Sequence, residues 1–451
     1  MRFDDQTARD LEIFRGQPGQ PGLFDLLDRT RTPGGREVLR ARFRNPLPSA
    51  ERVTAVQASL RFITANRRAF DALPRGTDLA ALDRYLTSTF VTSAATRGPA
   101  AAVEALLALV FYRDQVHAAA SGVAVTRRVV ESSAGFAAIP ALREAPGELR
   151  GFLDELGALL ASREVARSRP LRGGLGRWLH VLRDDRAIRE DGRQAVRRLL
   201  QLVHEIDALV AMADATVERG FVFPEILAGR GELVGEGLWH PFLATPVPND
   251  LRLDASRRLL FLTGPNMAGK TTHLRASGIA VYLAHLGMGV PARRLRLSIF
   301  DALVTAIGLS DSVREGISFF RAEALRMKVV AQQLAAGEHV FGVFDEPFKG
   351  TNVRDALDAS RAVLLRLARA RGSAFLVASH LIELADTLQP LPAVVSERFE
   401  ADEAGGELRY DYVARPGVSS QRLGMRVLEQ EGVFDLLDAC GALRNEAEPT
   451  R

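Results

Sequence analysis

Residues 261–278 read "FLTGPNMAGKTTHLRASG", and this stretch decides the fold of the second half of the chain. An apolar run leads into a loop that matches G-x-x-x-x-G-K-[ST], and a helical pattern follows. In such a loop the glycines let backbone N–H groups point inward at phosphate oxygens. The following helix directs its positive N-terminal end at the same anion. The stretch therefore predicts a nucleotide-binding loop between a buried strand and a helix.

The side chains of this loop suit ATP and Mg²⁺, which are the predicted cofactors. Lys270 brings a compact positive charge to the β- and γ-phosphates, and Thr271 offers a hydroxyl to the metal ion. The nucleotide-binding residues predicted within the loop are Gly264, Pro265, Asn266, Met267, Gly269, Lys270, Thr271 and Thr272.

A second motif, "HVFGVFDEP", predicts the metal site and the catalytic base. Val340 to Phe344 is the expected strand, and Asp345 and Glu346 stand at its carboxyl end. Open parallel sheets bind ligands at that edge. We therefore predict that Asp345 joins Thr271 in holding Mg²⁺, and that Glu346 orients or deprotonates the attacking water.

A third element, "FLVASH", ends in His380. A polar side chain at the end of the next strand could reach the γ-phosphate. Taken alone, a histidine after a strand is a weak indication of function, because histidines have many structural roles.

The composition is that of an ordinary soluble globular protein. The chain has 451 residues, of which 47% are hydrophobic and 25% charged, enough for two or three domains. No apolar run reaches about 18 residues, so no membrane span is predicted. Cys440 is the single cysteine, which excludes an internal disulfide framework. With a polar N-terminus that does not resemble a signal peptide, these features predict a cytoplasmic location.

The first half has helical spacing. Apolar residues recur in steps of three and four from Val196 to Val217, and helical spacing also runs from Leu149 to Leu160. A Gly- and Pro-rich interval separates them, so we predict two long antiparallel helices with a tip near Pro170–Gly176. Packing within one chain is the simpler interpretation of the first pattern, and an intermolecular coiled coil is the alternative.

Beyond Phe221, short apolar runs alternate with helical patterns, as in an α/β domain with a largely parallel sheet. The predicted fold class is therefore α+β and multidomain. An all-α core and lever domain is expected over residues 1–228, with the lever tip near 165–180. An α/β P-loop NTPase domain is expected over residues 229–451.

These motifs resemble those of the MutS family of ABC-type ATPases. "TGPNMAGKTT" is similar to that family's phosphate loop, and "ASHLIEL" resembles its Thr-His motif, which supports a catalytic role for His380 beside Glu346. "SDSVREGISFFRAEA" resembles the family's signature segment, with matching residues Gly316, Ser318, Phe320 and Glu323. The resemblance implies that Ser318 acts in trans on the γ-phosphate bound by a partner chain. A homodimer through the ATPase domains follows, with a helical dimerisation segment at the C-terminal end.

The likeness extends into the first half and also shows departures. Residues 23–47 resemble the opening of the MutS core domain. We expect a short form that lacks the mismatch-recognition, connector, clamp and Smr domains. Pro246 stands where many relatives have an aromatic that stacks on adenine, so base selectivity is left open. The loop after Glu346 reads Pro-Phe-Lys where Ile-Gly-Arg is usual.

The resemblance implies an ATPase of DNA repair or recombination that contacts the backbone of branched or non-mismatched DNA. Residues 163–198 hold 11 Arg against 5 Asp plus Glu, which favours phosphate contacts. The alternative is a solvated face in an arginine-rich chain, in which only three of 59 basic residues are lysine. A rival function is an ATPase whose levers grip a repair-protein partner without binding DNA.

Two further classes of protein fit poorly. A chromosome-organising ATPase carries a long coiled-coil insertion inside its ATPase, whereas here only 75 residues separate Lys270 from Asp345. A small-molecule kinase does not need the Gly316-x-Ser318 pattern.

Overall fold

The structure is a computed structural model. It describes residues 1–14, 19–74, 76–88, 111–166, 177–308, 319–404, 407–421 and 423–438. Within these ranges, helices occupy the chain up to Glu218, and the first strand begins at Glu225. The mixed helix-and-strand class is thereby confirmed, whereas the division at residue 228 stays a prediction.

The first half is a helical bundle. Several of its helices begin at side-chain caps: for example, the Thr32 hydroxyl accepts from the Gly35 N–H, and the Ser49 hydroxyl accepts from the Arg52 N–H. The helices are α1 (Asp5–Asp10), α2 (Leu23–Leu27), α3 (Pro33–Arg44), α4 (Ala50–Ala65), α5 (Thr77–Thr87), α6 (Arg113–Ala137), α7 (Gly147–Ala161), α8 (Arg163–Ala166), α9 (Arg177–Arg186) and α10 (Arg193–Glu218).

Helix α10 is the centre of the bundle. The predicted apolar positions from Val196 to Ala213 are buried and pack against α3, α4 and α7 of the same chain. Val217, the last predicted position, is 56% exposed. The interpretation as packing within one chain therefore accounts for the pattern up to Ala213, because these side chains already have partners in the bundle.

The predicted pair of long helices is only partly right. The segment Leu149–Leu160 is helical and forms α7, but the longer α6, of 25 residues, was missed. Helix α6 packs against α5 and α9, and one π-helical turn over Ala187–Asp191 joins α9 to α10. Its sequence is rich in small residues because neighbours approach closely: a Cβ on Gly122 would lie 2.0 Å from Tyr85 Cδ2. The predicted tip, Pro170–Gly176, lies outside the described residues.

The second half is built on a six-stranded sheet in the order β12-β9-β4-β8-β7-β6. All neighbours are parallel except β12, which runs antiparallel to β9. A smaller sheet has the order β1-β5-β2-β3, and β10 and β11 form an antiparallel pair of their own. The strands are β1 (Glu225–Leu227), β2 (Leu233–Leu238), β3 (Asn249–Leu253), β4 (Leu259–Thr263), β5 (Arg294–Ser298), β6 (Ala302–Ala306), β7 (Val340–Asp345), β8 (Ala374–Ala378), β9 (Val394–Arg398), β10 (Ala401–Ala404), β11 (Glu407–Tyr410) and β12 (Arg415–Pro416).

Helices cover the six-stranded sheet, so its strands β4, β6 and β8 are buried along their whole length. None of the described helices is long and apolar enough to cross a membrane. The helices of this half are α11 (Lys270–Ala284), α12 (Phe319–Ala335), α13 (Val353–Leu367), α14 (Glu383–Leu388) and α15 (Gly424–Gln430).

The two halves share one apolar core, which runs through the helical bundle and onto the sheet. Helix α1 packs on β6, where the buried Asp10 carboxylate accepts from Thr305 Oγ1 at 2.6 Å. The buried Tyr282 of α11 donates its hydroxyl proton to the Phe43 carbonyl of α3. Helix α1 therefore packs on the sheet, although it belongs in sequence to the helical half.

His285 also joins the halves, and its tautomer follows from its two neighbours. Nδ1 lies 3.2 Å from the Leu47 carbonyl oxygen, so Nδ1 carries the proton and donates it. Nε2 then accepts from the Phe300 N–H at 3.3 Å. A second proton on Nε2 would face that N–H, so the ring must stay neutral.

We expect acid to destabilise the protein in part through His285. Burial lowers the pKa of His285 to about 3, against 6.5 for an unperturbed histidine. Below pH 6.5 the unfolded chain takes up a proton that the folded chain does not, so the free energy of unfolding decreases until about pH 3. Chemical denaturation at a series of pH values measures this slope. The His285→Gln variant, which cannot titrate, should show a shallower decrease, and an equally steep one would contradict the assignment.

Candidate nucleotide-binding site

The predicted phosphate loop follows β4 and ends where α11 begins. Two of its glycines have left-handed backbone angles, with φ of 139° at Gly264 and 106° at Gly269. A Cβ on Gly264 would lie 2.4 Å from the Phe399 carbonyl oxygen, so only glycine fits there. Met267 also has a positive φ, 68°, and is 74% exposed. The loop is thus a tight turn with an open outer surface.

Lys270 is 5% exposed, and its ammonium group lies inside the turn. Nζ donates to the carbonyl oxygens of Gly264 at 2.7 Å and Pro265 at 2.9 Å. Burial lowers the pKa of Lys270, and the nearby charges of Glu346 and Asp345 oppose that effect. The cation is held by two neutral oxygens, which an anionic ligand could replace.

Thr271 and Asp345 meet directly, as the metal-site prediction requires. The Thr271 hydroxyl donates to Asp345 Oδ2 at 2.6 Å, which joins the start of α11 to the end of β7. Burial raises the pKa of Asp345, and the hydrogen bond from Thr271 counteracts this.

This pair fits a magnesium ion that arrives with a nucleotide. Mg²⁺ prefers oxygen ligands and is usually bound by one or two carboxylates together with substrate phosphates. Among the described residues there is no group of three or more His, Cys, Asp and Glu that could hold a metal by itself. Phosphate oxygens would therefore have to complete the coordination.

Glu346 and His380 are brought together from the ends of β7 and β8. The Glu346 N–H donates to the Ala378 carbonyl oxygen at 2.8 Å, and Glu346 Oε1 lies 3.7 Å from His380 Nδ1. At that distance the two side chains form an ion pair when the ring is protonated. The contact lowers the pKa of Glu346 and raises that of His380. Glu346 is therefore ionised at neutral pH and can accept a proton.

A cavity of about 310 Å³ beside the phosphate loop was not predicted from the sequence. Tyr412, 43% exposed and with a φ of 58°, forms part of its wall together with Trp239. Thr272 also lines it, so the cavity adjoins the phosphate loop. Pro246, Gly269 and Thr272 of this cavity were singled out from the sequence, whereas Tyr412, which is 140 positions beyond Thr272 in the chain, was not.

Ser318 and Gly316 lie outside the described residues, so their proposed action in trans stays a prediction. The chain is described again from Phe319 onward, where α12 begins. Glu323 of this helix is 5% exposed and lies against the loop that follows Glu346.

Both halves of the chain match known protein families. Residues 260–440 match MutS domain V, and residues 6–213 match MutS domain III. This chain carries MutS domains III and V. Domain V contains the phosphate loop, Asp345, Glu346 and His380, whereas domain III contains the helical bundle up to Ala213.

Curated relatives carry the name DNA mismatch repair protein MutS. The protein from Persephonella marina is 32% identical over 53% of this chain and 28% of its own length. The one from Nitratidesulfovibrio vulgaris is 32% identical over 57% of this chain and 29% of its own length. The MutS 1 protein from Halobacterium salinarum is 34% identical over 60% of this chain and 31% of its own length. The chain thus aligns with less than a third of each of these relatives.

Lys270→Ala should abolish nucleotide binding, with a loss of affinity of about 100-fold or more, because a buried charged contact to phosphate disappears. Fluorescence anisotropy with a labelled ATP analogue and Mg²⁺ measures this. The matched control is Lys328→Ala, which removes an exposed lysine from α12 and should bind like the wild type. Wild-type affinity in Lys270→Ala would place the phosphates elsewhere.

Proposed function

We propose that this protein is a MutS-type ATPase that acts in DNA repair or recombination and couples ATP hydrolysis to movement of its helical levers. The observation that carries the proposal is the meeting of three predicted elements at one sheet edge. Lys270 lies in the phosphate loop, Thr271 binds Asp345 at 2.6 Å, and Glu346 lies beside His380. The names of the curated relatives support the repair setting.

In the proposed reaction the phosphates enter the turn and Lys270 exchanges its two carbonyl contacts for phosphate oxygens. When bound, Mg²⁺ neutralises phosphate charge, with Thr271 and Asp345 as its protein ligands. Glu346, ionised at neutral pH, orients the attacking water and accepts its proton. His380 holds the Glu346 carboxylate in place and keeps its pKa low.

The cavity beside the loop is the proposed site of the base and ribose. It lies next to Thr272 and offers aromatic surface from Tyr412 and Trp239. Tyr412 can stack on a base even though Pro246 stands where relatives have an aromatic, because the stacking surface comes from another part of the chain.

The proposed active form is a homodimer in which Ser318 of each chain contacts the γ-phosphate bound by the other. ATP would then favour the closed dimer and ADP the open one, and this difference in affinity drives the change. The lever helices would move together with the ATPase domains, because the bundle and the sheet share one core.

The proposed DNA contact involves fewer arginines than the composition suggests. Among the described residues of 163–198, five arginines bind groups of the same chain. Arg189, for example, lies 3.2 Å from the buried Asp185, and Arg198 binds Glu155. The arginines proposed to contact phosphates are the other six: Arg163, Arg167, Arg169, Arg172, Arg177 and Arg183.

The proposed DNA substrate is branched or non-mismatched. The rival proposal, a repair-protein partner held by the levers, gains support from the internal pairing of those five arginines. A cytoplasmic location stays a prediction.

Glu346→Gln should bind ATP with wild-type affinity but hydrolyse it about 100-fold or more slowly, because the amide cannot accept the proton. Phosphate release at saturating ATP measures turnover, and anisotropy of a labelled ATP analogue measures binding. Ready turnover by this variant would remove Glu346 from its proposed role.

DNA binding should depend steeply on salt if six phosphates are contacted, with a slope of log affinity against log salt concentration near −5. Replacing Arg167, Arg169 and Arg172 by Gln should make the slope shallower by about 3. A control with the same charge change replaces Arg230, Arg252 and Arg293 on the sheet half and should leave the slope unaltered. ATPase assays with single-stranded, duplex, mismatched and branched DNA then identify the substrate. No response to any of them, with a flat salt dependence, would favour the protein partner.

A further inference from the structure

The loop that follows β7 has an unusual backbone. Glu346 and Phe348 both have positive φ angles, 50° and 66°, and Pro347 stands between them. Left-handed angles are unfavourable for residues with a Cβ, and such strain persists only where surrounding contacts enforce it. The carboxylate proposed to act on water is therefore carried by a segment that needs external support.

One support comes from strand β8 and another from helix α13. The Glu346 N–H is bound by the Ala378 carbonyl oxygen, and the Ser360 hydroxyl donates to the Pro347 carbonyl oxygen at 3.3 Å. Phe348 is 4% exposed, and its ring centroid lies 5.9 Å from that of Phe320 on α12. These contacts hold the beginning of the loop.

The far end of the loop is held by the buried carboxylate of Glu323. Its Oε1 accepts from the Lys349 N–H and its Oε2 from the Gly350 N–H, each at 3.2 Å. Glu323 belongs to α12, whereas Ser360 belongs to α13. A carboxylate that accepts two adjacent backbone N–H groups fixes their orientation as well as their position.

Glu323 also lies close to the metal-site carboxylate without joining it. Glu323 and Asp345 line the same cavity of about 10 Å³, together with Ile307 and Met327. Phe348 and Lys349 of the loop line it too.

We propose that Glu323 is a positioning residue for hydrolysis: by binding the Lys349 and Gly350 amides it holds loop 346–350 so that the Glu346 carboxylate faces Lys270 and Asp345. The inference rests on the proposed ATPase function. Glu323 contacts neither nucleotide nor water in this role. It acts through the backbone, so its loss should alter turnover and leave nucleotide affinity nearly unchanged.

The test compares Glu323→Ala, Glu323→Gln and the exposed control Lys328→Ala in the full-length chain. Glu323→Ala should lower kcat about 10- to 100-fold, the size expected for a small misplacement of a reacting group, while the Kd for a labelled ATP analogue stays within about threefold. Glu323→Gln keeps one acceptor oxygen and should recover most of the turnover. Lys328→Ala should match the wild type.

Hydrogen exchange gives a second readout that does not depend on catalysis. The Lys349 and Gly350 amides should exchange slowly in the wild type and faster in Glu323→Ala. If Glu323→Ala does not fold, Glu323→Gln is compared with the wild type in turnover and in amide exchange. A partial loss of turnover together with a partial loss of amide protection in Glu323→Gln supports the proposal. Wild-type kcat in Glu323→Ala, or a loss of affinity as large as the loss of kcat, overturns it.

The proposed ATPase function can be contradicted independently of the proposed role of Glu323. Absence of ATP hydrolysis by the wild-type protein, or full turnover by Glu346→Gln, counts against the ATPase assignment. Slow wild-type exchange at Lys349 and Gly350 that accelerates in Glu323→Ala would still support the loop contact in that case, whereas rapid wild-type exchange would remove it.

Discussion

The hydrogen bond between Thr271 and Asp345 is the contact on which the candidate site depends. It joins the first turn of α11 to the last residue of β7, although Thr271 and Asp345 are 74 positions apart in the chain. The geometry requires β4 and β7 to be parallel and separated only by β8, so that their carboxyl ends share an edge. Lys270 precedes Thr271 in the chain and Glu346 follows Asp345, so this pair also fixes where those two residues lie.

The local motifs could be predicted from the sequence because each is a short run with its own chemistry. The loop around Lys270 and the strand before Asp345 can each be recognised from the spacing of their residues. Since parallel strands end at one edge of a sheet, the two motifs are predicted to meet there. The bond between Thr271 and Asp345 and the contact between Glu346 and His380 agree with that expectation.

The features that were missed depend on contacts between distant parts of the chain. The buried residues of helix α6 recur at helical spacing, but several of these positions are small, such as Ala119 and Gly122, where Tyr85 approaches closely. Tyr412 reaches the cavity from beyond the β10–β11 hairpin, which no local pattern indicates. The arginines of the lever region look alike in sequence, and only the fold shows that Arg189 and Arg198 bind carboxylates of the same chain.

The shared core has a mechanical consequence. Because α1 packs on β6 and Tyr282 reaches α3, no flexible joint separates the bundle from the sheet in these contacts. Helix α10 has 26 residues, which gives it a length of about 39 Å. A rotation of the sheet by about 5° would therefore carry the far end of a rigid α10 through roughly 3 Å, by the geometry of a rod of that length. For a rigid rotation of this kind, the displacement at the far end of α10 is proportional to the length of the helix.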